Sequence, residues 1–301
     1  MLRLGIVDFD SSHSIEFTRR FNQVGLNPDQ YVDGARVVAG WPGTSEMAPE
    51  RIPGFLEQMI DAGVEIVDSP DALHDKIDAA LVLSLCGAAH LERARPFLEA
   101  KIPTFVDKPF ACSVEDARQI VELADSSGAQ LLYSSALRYS EEVLALQRLI
   151  DSCGPLHGLV SYGPAKRAEG NPGLLHYGVH ALELMCTLMG PGCRRVTASH
   201  TDGADVVTGT WDDGRVATLR GLRSGSTAYG LVAFCEQAVL PRPVSTIYAY
   251  RNLCRAIVRA LESGEELVTR QEMVEIVAVA LAALESERRW GVPVDVRPSE
   301  E

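Results

Sequence analysis

The sequence predicts an α/β Rossmann-like domain with a parallel sheet, followed by an α+β domain whose sheet is mainly antiparallel. Three observations carry this. The chain has 301 residues, and at roughly 100–200 residues per domain that length favours two domains. The first ~135 residues alternate short apolar runs with helical patterns, the sign of βαβ units. The remainder passes through hairpin-like strands and then two long helices, the order of an α+β domain. The boundary is placed at 136/137, giving a first domain over 1–136 and a second over 137–301.

Leu2–Val7 reads as the first strand. Residues 14–24 follow as a helix, with Phe17, Phe21 and Val24 on one face. Residues 36–39 form a second strand, and 41–54, rich in Pro and Gly, read as loop. Residues 79–85 and Thr104–Val106 are apolar strands separated by a helix over 88–100. Ser113 with Asp116 forms a capping box for a helix to about Ser126, and residues 130–134 are the last strand of the domain. Beyond it, 141–151 read as a helix, 158–162 as a strand and 175–189 as a helix stopped by Gly190-Pro191-Gly192. Strands follow at 195–200, 206–211, 216–221 and 229–234, with Asp213-Gly214 as a hairpin signal. Helices over 246–263 and 270–289 finish the chain, the latter opened by Thr269 and Glu272.

Composition narrows the function. The net charge is −13, which argues against nucleic-acid or anionic-membrane partners. No apolar run reaches the ~20 residues of a membrane span, and the N-terminus lacks signal-peptide organisation. Seven cysteines without framework spacing point to reduced thiols and a cytoplasmic location.

The most informative stretch is Thr-Phe-Val-Asp-Lys-Pro-Phe at 104–110. A strand ends there on an acid, a lysine and a proline, and strand carboxyl ends line the ligand crevice of an open parallel sheet. Pro109 restricts the backbone around Lys108, one of only four lysines in the chain.

With the first strand and its turn, the stretch 83–90 ending in His90, Asp107-Lys108-Pro109, Leu137-Arg138-Tyr139, the helix 173–190 and the closing 292–296, the chain resembles the glucose–fructose oxidoreductase, inositol dehydrogenase and rhizopine-catabolism (Gfo/Idh/MocA) superfamily. The resemblance implies an oxidoreductase that moves a hydride between NAD or NADP and a small hydroxylated or carbonyl substrate, a sugar, polyol or related metabolite. It also implies a homodimer or homotetramer. The cofactor contacts it implies are Asp8, Phe9, Asp10, Ser11, Ser12 and His13 after the first strand. Trp41, Leu85, Cys86, His90, Asp107 and Lys108 complete that set.

Two stretches depart from the family pattern. Dinucleotide binders place G-x-G-x-x-G after the first strand, so that backbone amides approach the pyrophosphate. Here that stretch is Asp8-Phe9-Asp10-Ser11-Ser12-His13, without any of the three glycines. Two carboxylates facing a pyrophosphate at ~4 Å would repel it by roughly 4 kcal/mol each at an effective dielectric near 20. No acid for the ribose follows the second strand, where the chain reads Gly40-Trp41-Pro42. The other reading of Asp10-Ser11-Ser12 is a helix N-cap cluster.

In the second departure, His176 stands where the family has an acid, four residues before His180. A helix over 175–189 would put both on one face with Glu183. Lys108, His176 and His180 are the expected catalytic residues. His180 and Lys108 handle the hydroxyl proton in one cleft between the domains, and His176 orients or relays. The same spacing could hold a metal through His176, His180 and Glu183; the reading adopted has no metal. Arg138 and Tyr139 are expected to anchor the two domains, and nothing near Cys86 in the sequence suggests an activated thiolate.

Two further functional readings stand beside the oxidoreductase. One is an NAD(P)-independent enzyme using Lys108, His176 and His180 for lyase, isomerase or hydrolase chemistry, with or without a metal. The other is a non-catalytic small-molecule-binding protein.

Overall fold

The computed structural model describes residues 1–296. They divide into two compact units, one of residues 1–134 and 250–270, the other of 135–249 and 271 onward. The sequence-based boundary falls beside the first crossing. Residues 250–270, assigned by chain order to the second domain, belong to the first unit.

The first unit is built on a six-stranded parallel sheet. Its strands are β1 (Leu2–Val7), β2 (Ala35–Trp41), β3 (Glu65–Ile66), β4 (Ala79–Val82), β5 (Thr104–Val106) and β6 (Leu131–Tyr133), in the order β3-β2-β1-β4-β5-β6. The order reverses between β1 and β4, which pair from Leu4↔Ala79 to Val7↔Val82. The inner strands are continuous apolar runs because both sheet faces are covered: Ile6, Val7, Leu81, Val82 and Val106 have no exposed surface. The covering helices are α1 (Ser12–Phe21), α2 (Ile52–Asp61), α3 (His90–Glu99) and α4 (Val114–Ser127). Ser113 caps α4, accepting from the Asp116 amide at 3.0 Å, as the capping box predicts. The stretch read as loop to residue 54 already enters α2, where Pro53 occupies the first turn of the helix and is tolerated there. The helix α7 (Ala249–Ser263) buries Leu253, Cys254 and Ile257, and from Tyr250 onward it belongs to this unit.

The second unit holds a seven-stranded sheet of β7 (Leu156–Pro164), β8 (Cys193–Thr201), β9 (Ala204–Trp211), β10 (Val216–Leu222), β11 (Tyr229–Cys235), β12 (Val239–Val244) and β13 (Val294–Asp295). The order is β12-β11-β7-β10-β9-β8-β13, antiparallel except for β7 with β10. β12 escapes the sequence reading because Pro241 and Pro243 interrupt its pattern; an edge strand accommodates them. The remaining helices are α5 (Glu141–Ser152), α6 (Val179–Met189) and α8 (Arg270–Arg288). α6 packs on β7 and β10. The α8 residue Ser286 accepts the β8 amide of Ala198 at 2.9 Å through its hydroxyl.

Candidate active site

In the first unit, polar groups collect at the carboxyl ends of β1, β4 and β5. Asp8 follows β1 with φ +66°, a left-handed conformation uncommon outside glycine. Its amide donates to the Trp41 carbonyl, and that of Phe9 to Pro42, each at 3.0 Å. The Asp8 carboxylate is buried, accepts from the Ser84 hydroxyl and pairs with Arg93, whose Nε lies 3.1 Å away. A Cβ on Gly43 would come within 1.6 Å of Asp8 Oδ1, so only glycine fits beside it. Burial pushes the Asp8 carboxyl up to about 6, with Ser84 and Arg93 opposing. Arg93 also stacks over the Trp41 ring, 4.9 Å from the centroid. Asp10 Oδ1 accepts the Leu85 amide at 3.0 Å. The helix cap is Ser11, whose hydroxyl accepts the His13 amide at 3.3 Å.

The carboxylates are therefore engaged rather than bare, which corrects the simple repulsion argument. Pyrophosphate binding at a βα turn nevertheless needs open amides and space in front of them. Here the amides of Asp8 and Phe9 serve the loop after β2, and side chains occupy the glycine positions. The residues of this loop do not fit a pyrophosphate in the glycine-loop pose.

At the end of β5, Asp107 and Lys108 are both buried. His13 Nδ1 lies 2.6 Å from Asp107 Oδ2, at ion-pair distance though outside hydrogen-bond alignment. The His13 ring is stacked with Phe17, centroids 5.7 Å apart, and meets Tyr250 edge-on at 5.1 Å. Burial works to raise the Asp107 carboxyl, but His13 and Lys108 outweigh it and hold it below the ordinary carboxylate range. His90 has no exposed surface; its ring nitrogens face the carbonyls of Phe110 (3.2 Å) and Ser84 (3.0 Å), and burial lowers its basicity. Phe9 is fully buried against Gly40. Of the twelve residues expected at the cofactor, His90 and Phe9 are thus enclosed supports for the loops. Ser12 is exposed, and Trp41, Leu85 and Cys86 are half-buried.

In the second unit the expected helix over 175–189 starts later. Gly173 takes φ +57°, Gly173–Leu175 form a single 3-10 turn, and α6 begins only at Val179. His176 stands before the helix with ψ −85°, so the shared face for His176, His180 and Glu183 is not formed. Glu183 is fully buried and binds Arg138 Nε; Arg138 Nη2 reaches Glu272 Oε1 at 2.6 Å. The two glutamates outweigh burial and raise the Arg138 guanidinium above its ordinary value. Both partners lie in the second unit, so these bonds organise that unit and do not perform the domain anchoring expected of Arg138. His180 Nδ1 lies 3.1 Å from the Ser135 hydroxyl, and His176 Nδ1 3.4 Å from Asn171 Nδ2. Rings of Tyr177 and Tyr229 flank His180 at 5.7 and 6.1 Å.

Among the described residues, the His/Asp/Glu group close enough to share an ion is His200, Asp205 and Glu287. Its carboxylates are bound by guanidinium groups: Arg167 reaches Asp205 at 2.7 Å and Glu287 at 2.5 Å, and Arg223 binds Asp205. No helix among those residues is long and apolar enough to cross a membrane.

Comparison with known proteins agrees with this architecture. The Gfo/Idh/MocA profile, described as an oxidoreductase family with an NAD-binding Rossmann fold, matches residues 48–135. Inositol 2-dehydrogenase 3 of Saccharopolyspora erythraea is 30% identical over 124 residues, covering 41% of this chain and 35% of that protein. The inositol 2-dehydrogenase of Klebsiella pneumoniae is 30% identical over 153 residues, covering 50% of this chain and 41% of the relative. The matched region thus spans well under half of each relative. Among solved structures, scyllo-inositol dehydrogenase of Lactobacillus casei with NAD(H) and scyllo-inositol shares the fold with a TM-score of 0.82 at 15% identity, covering 98% of this chain and 99% of the other. A myo-inositol dehydrogenase of Corynebacterium glutamicum gives 0.81 at 18% identity, covering 99% and 100%. Over residues 48–135 the sequence is similar to the Gfo/Idh/MocA oxidoreductase family, and the whole chain shares the fold of the inositol dehydrogenases.

Proposed function

We propose that the protein is an oxidoreductase that exchanges a hydride between a nicotinamide dinucleotide, NAD(H) or NADP(H), and a hydroxyl-bearing carbon of a polyol or sugar. The observation that carries this reading is Lys108, buried at the carboxyl end of β5 beside Asp107, in a chain whose relatives are inositol dehydrogenases. The cofactor, when bound, supplies the hydride acceptor or donor. Lys108 polarises the substrate oxygen. His180 exchanges the hydroxyl proton: with Nδ1 turned to the Ser135 hydroxyl, its Nε2 is the nitrogen assigned to that exchange. His176, placed before α6 in the structure, orients the substrate. His13 and Asp107 hold the β5 end in register with α1.

Cytoplasmic location and assembly as a homodimer or homotetramer form part of the same proposal. The supporting observation for the first is seven cysteines without a disulfide.

A second reading is favoured by one feature, the side-chain-filled loop at Asp8 and Asp10: an enzyme that does without a dinucleotide and uses the Lys108 and His180 chemistry for lyase or isomerase steps. Calorimetric titration of the purified protein with NADH and NADPH separates the two. Saturable binding of either supports the oxidoreductase; no heat with either at millimolar concentration moves the assignment to the second reading.

A further inference from the structure

Cys86 and Cys112 come from the loops that follow β4 and β5. Cys86 precedes the 3-10 turn Gly87–Ala89, and Cys112 directly precedes Ser113, the cap of α4. β4 and β5 are paired neighbours, which sets the two loops side by side. Their packing is close: a Cβ on Gly87 would lie 2.8 Å from Pro109 Cγ and 2.9 Å from the Pro109 carbonyl oxygen. The same Cβ would lie 3.1 Å from the Ala111 carbonyl carbon, so the residues next to Cys86 and Cys112 are in contact, and each thiol's proton affinity is set first by the other cysteine, with the amides of residues 87–89 assisting. Both residues are half-buried, whereas Cys186, Cys193, Cys235 and Cys254 are buried. Cys112 is the largest cause holding the Cys86 thiol down at about 6; the amides of Ala88 and Ala89 assist, while partial burial and Asp10 oppose. Cys86, followed by burial, raises Cys112. One thiol is thus held down and its neighbour held up, the division of roles between an attacking and a resolving cysteine.

We propose that Cys86 and Cys112 form an oxidation-sensitive dithiol that reacts with hydroperoxides and closes to a disulfide across the β4 and β5 loops. In the first step the Cys86 thiolate attacks the terminal oxygen of the hydroperoxide. An S–O bond forms, the O–O bond breaks, and the alkoxide leaves with a proton as the alcohol, so sulfur is oxidised to the sulfenic acid and the peroxide is reduced. In the second step the Cys112 thiol attacks that sulfur. The S–S bond forms, the S–O bond breaks, and water leaves with the thiol proton. A dithiol reductant reverses the change. The bridge would span residues 86–112 and restrain the Asp107-Lys108-Pro109 segment that lies between its ends. The inference rests on the two loops alone and is independent of the oxidoreductase reading.

The test uses the full chain, reduced and freed of reductant, then exposed to hydrogen peroxide and mapped by peptide mass spectrometry. The expected product is a Cys86–Cys112 cross-linked peptide pair that disappears on treatment with dithiothreitol. Cys112→Ser is expected to stop at a Cys86 sulfenic acid trapped by dimedone, and Cys86→Ser to leave Cys112 reduced. Before oxidation, iodoacetamide is expected to alkylate Cys86 roughly tenfold faster than Cys235, whose thiol is held up by burial. Equal alkylation rates, or peroxide treatment that leaves Cys86 reduced or joins it to another cysteine, overturns the proposal.

Discussion

Arg93 is clamped between Asp8 and Trp41: its Nε lies 3.1 Å from Asp8 Oδ2 and its guanidinium stacks 4.9 Å from the centroid of the Trp41 ring. Residues at the carboxyl ends of three different strands are thereby tied together, because Asp8 also accepts from Ser84. The place a glycine loop leaves open is closed by the chain's own charges.

Those charges give stability a pH signature. Asp8 is held at about 6 against an ordinary 3.8, so the folded state binds the proton more tightly than the unfolded state. Native stability therefore falls as pH rises from about 4 to about 6, by about 3 kcal/mol at 1.36 kcal/mol per unit. Asp107, lowered instead, has the opposite sign: its contribution is present above 3.8 and is lost as pH falls through its folded value. Urea unfolding of the wild type and Asp8→Asn between pH 4 and 7 checks the first window. The wild type is expected to lose stability relative to the variant across it; parallel curves would count against the burial of an ionised Asp8.

Opening the loop should change cofactor affinity. Asp8→Gly with Asp10→Gly removes both carboxylates from the turn and suits the φ of +66° at position 8. Calorimetry is expected to show NAD(H) binding at least about tenfold tighter than to the wild type, a gain of ~1.4 kcal/mol. An unchanged or weaker affinity would show that the wild-type loop already accepts the pyrophosphate.

The Arg138 bonds should be structurally costly to break. Arg138→Met leaves Glu183, which has no exposed surface, without its guanidinium partner, and breaking one side of a buried ion pair costs roughly 3–5 kcal/mol. Chemical denaturation of the variant is expected to show a loss of that size. A loss below 1 kcal/mol would mean the bonds contribute little to the native state.

Ser135 and His180 separate support from chemistry. His180→Ala is expected to lower kcat by roughly 10²–10⁴-fold, the usual yield of a positioned acid–base group. Ser135→Ala, which removes only the hydroxyl near Nδ1, should lower kcat less and shift the pH profile of kcat. Equal losses in the two variants, with unchanged profiles, would reduce His180 to a packing role.

Much of the first unit was legible because its strands are unbroken apolar runs and its α4 cap is a local signal. The candidate site's Asp107-Lys108 pair stands out in the sequence because a strand ends directly on it, and the structure buries both residues at the carboxyl end of β5. Periodicity carried the helix over 175–189 too far back, because the left-handed Gly173 and the backbone of His176 delay α6 to Val179. The allegiance of α7 to the first unit is a long-range choice that no local pattern announces. The same holds for the partners of Asp8, since Ser84 and Arg93 are brought to it by strand order. No local pattern announces that the loops of Cys86 and Cys112 are neighbours, a consequence of the β4/β5 pairing. His13 was visible as a histidine in place of a glycine, but its approach to Asp107 depends on how α1 docks beside β5.

One turnover measurement bears most directly on the proposed role of Lys108. The purified protein is incubated with NAD⁺ or NADP⁺ and a panel of inositols, hexoses and their amino and deoxy derivatives, and reduced nicotinamide is followed by absorbance. Reduction is expected with at least one polyol or sugar, and is abolished in Lys108→Ala. No reduced nicotinamide with any member of the panel and either dinucleotide, or full turnover in Lys108→Ala, would contradict it.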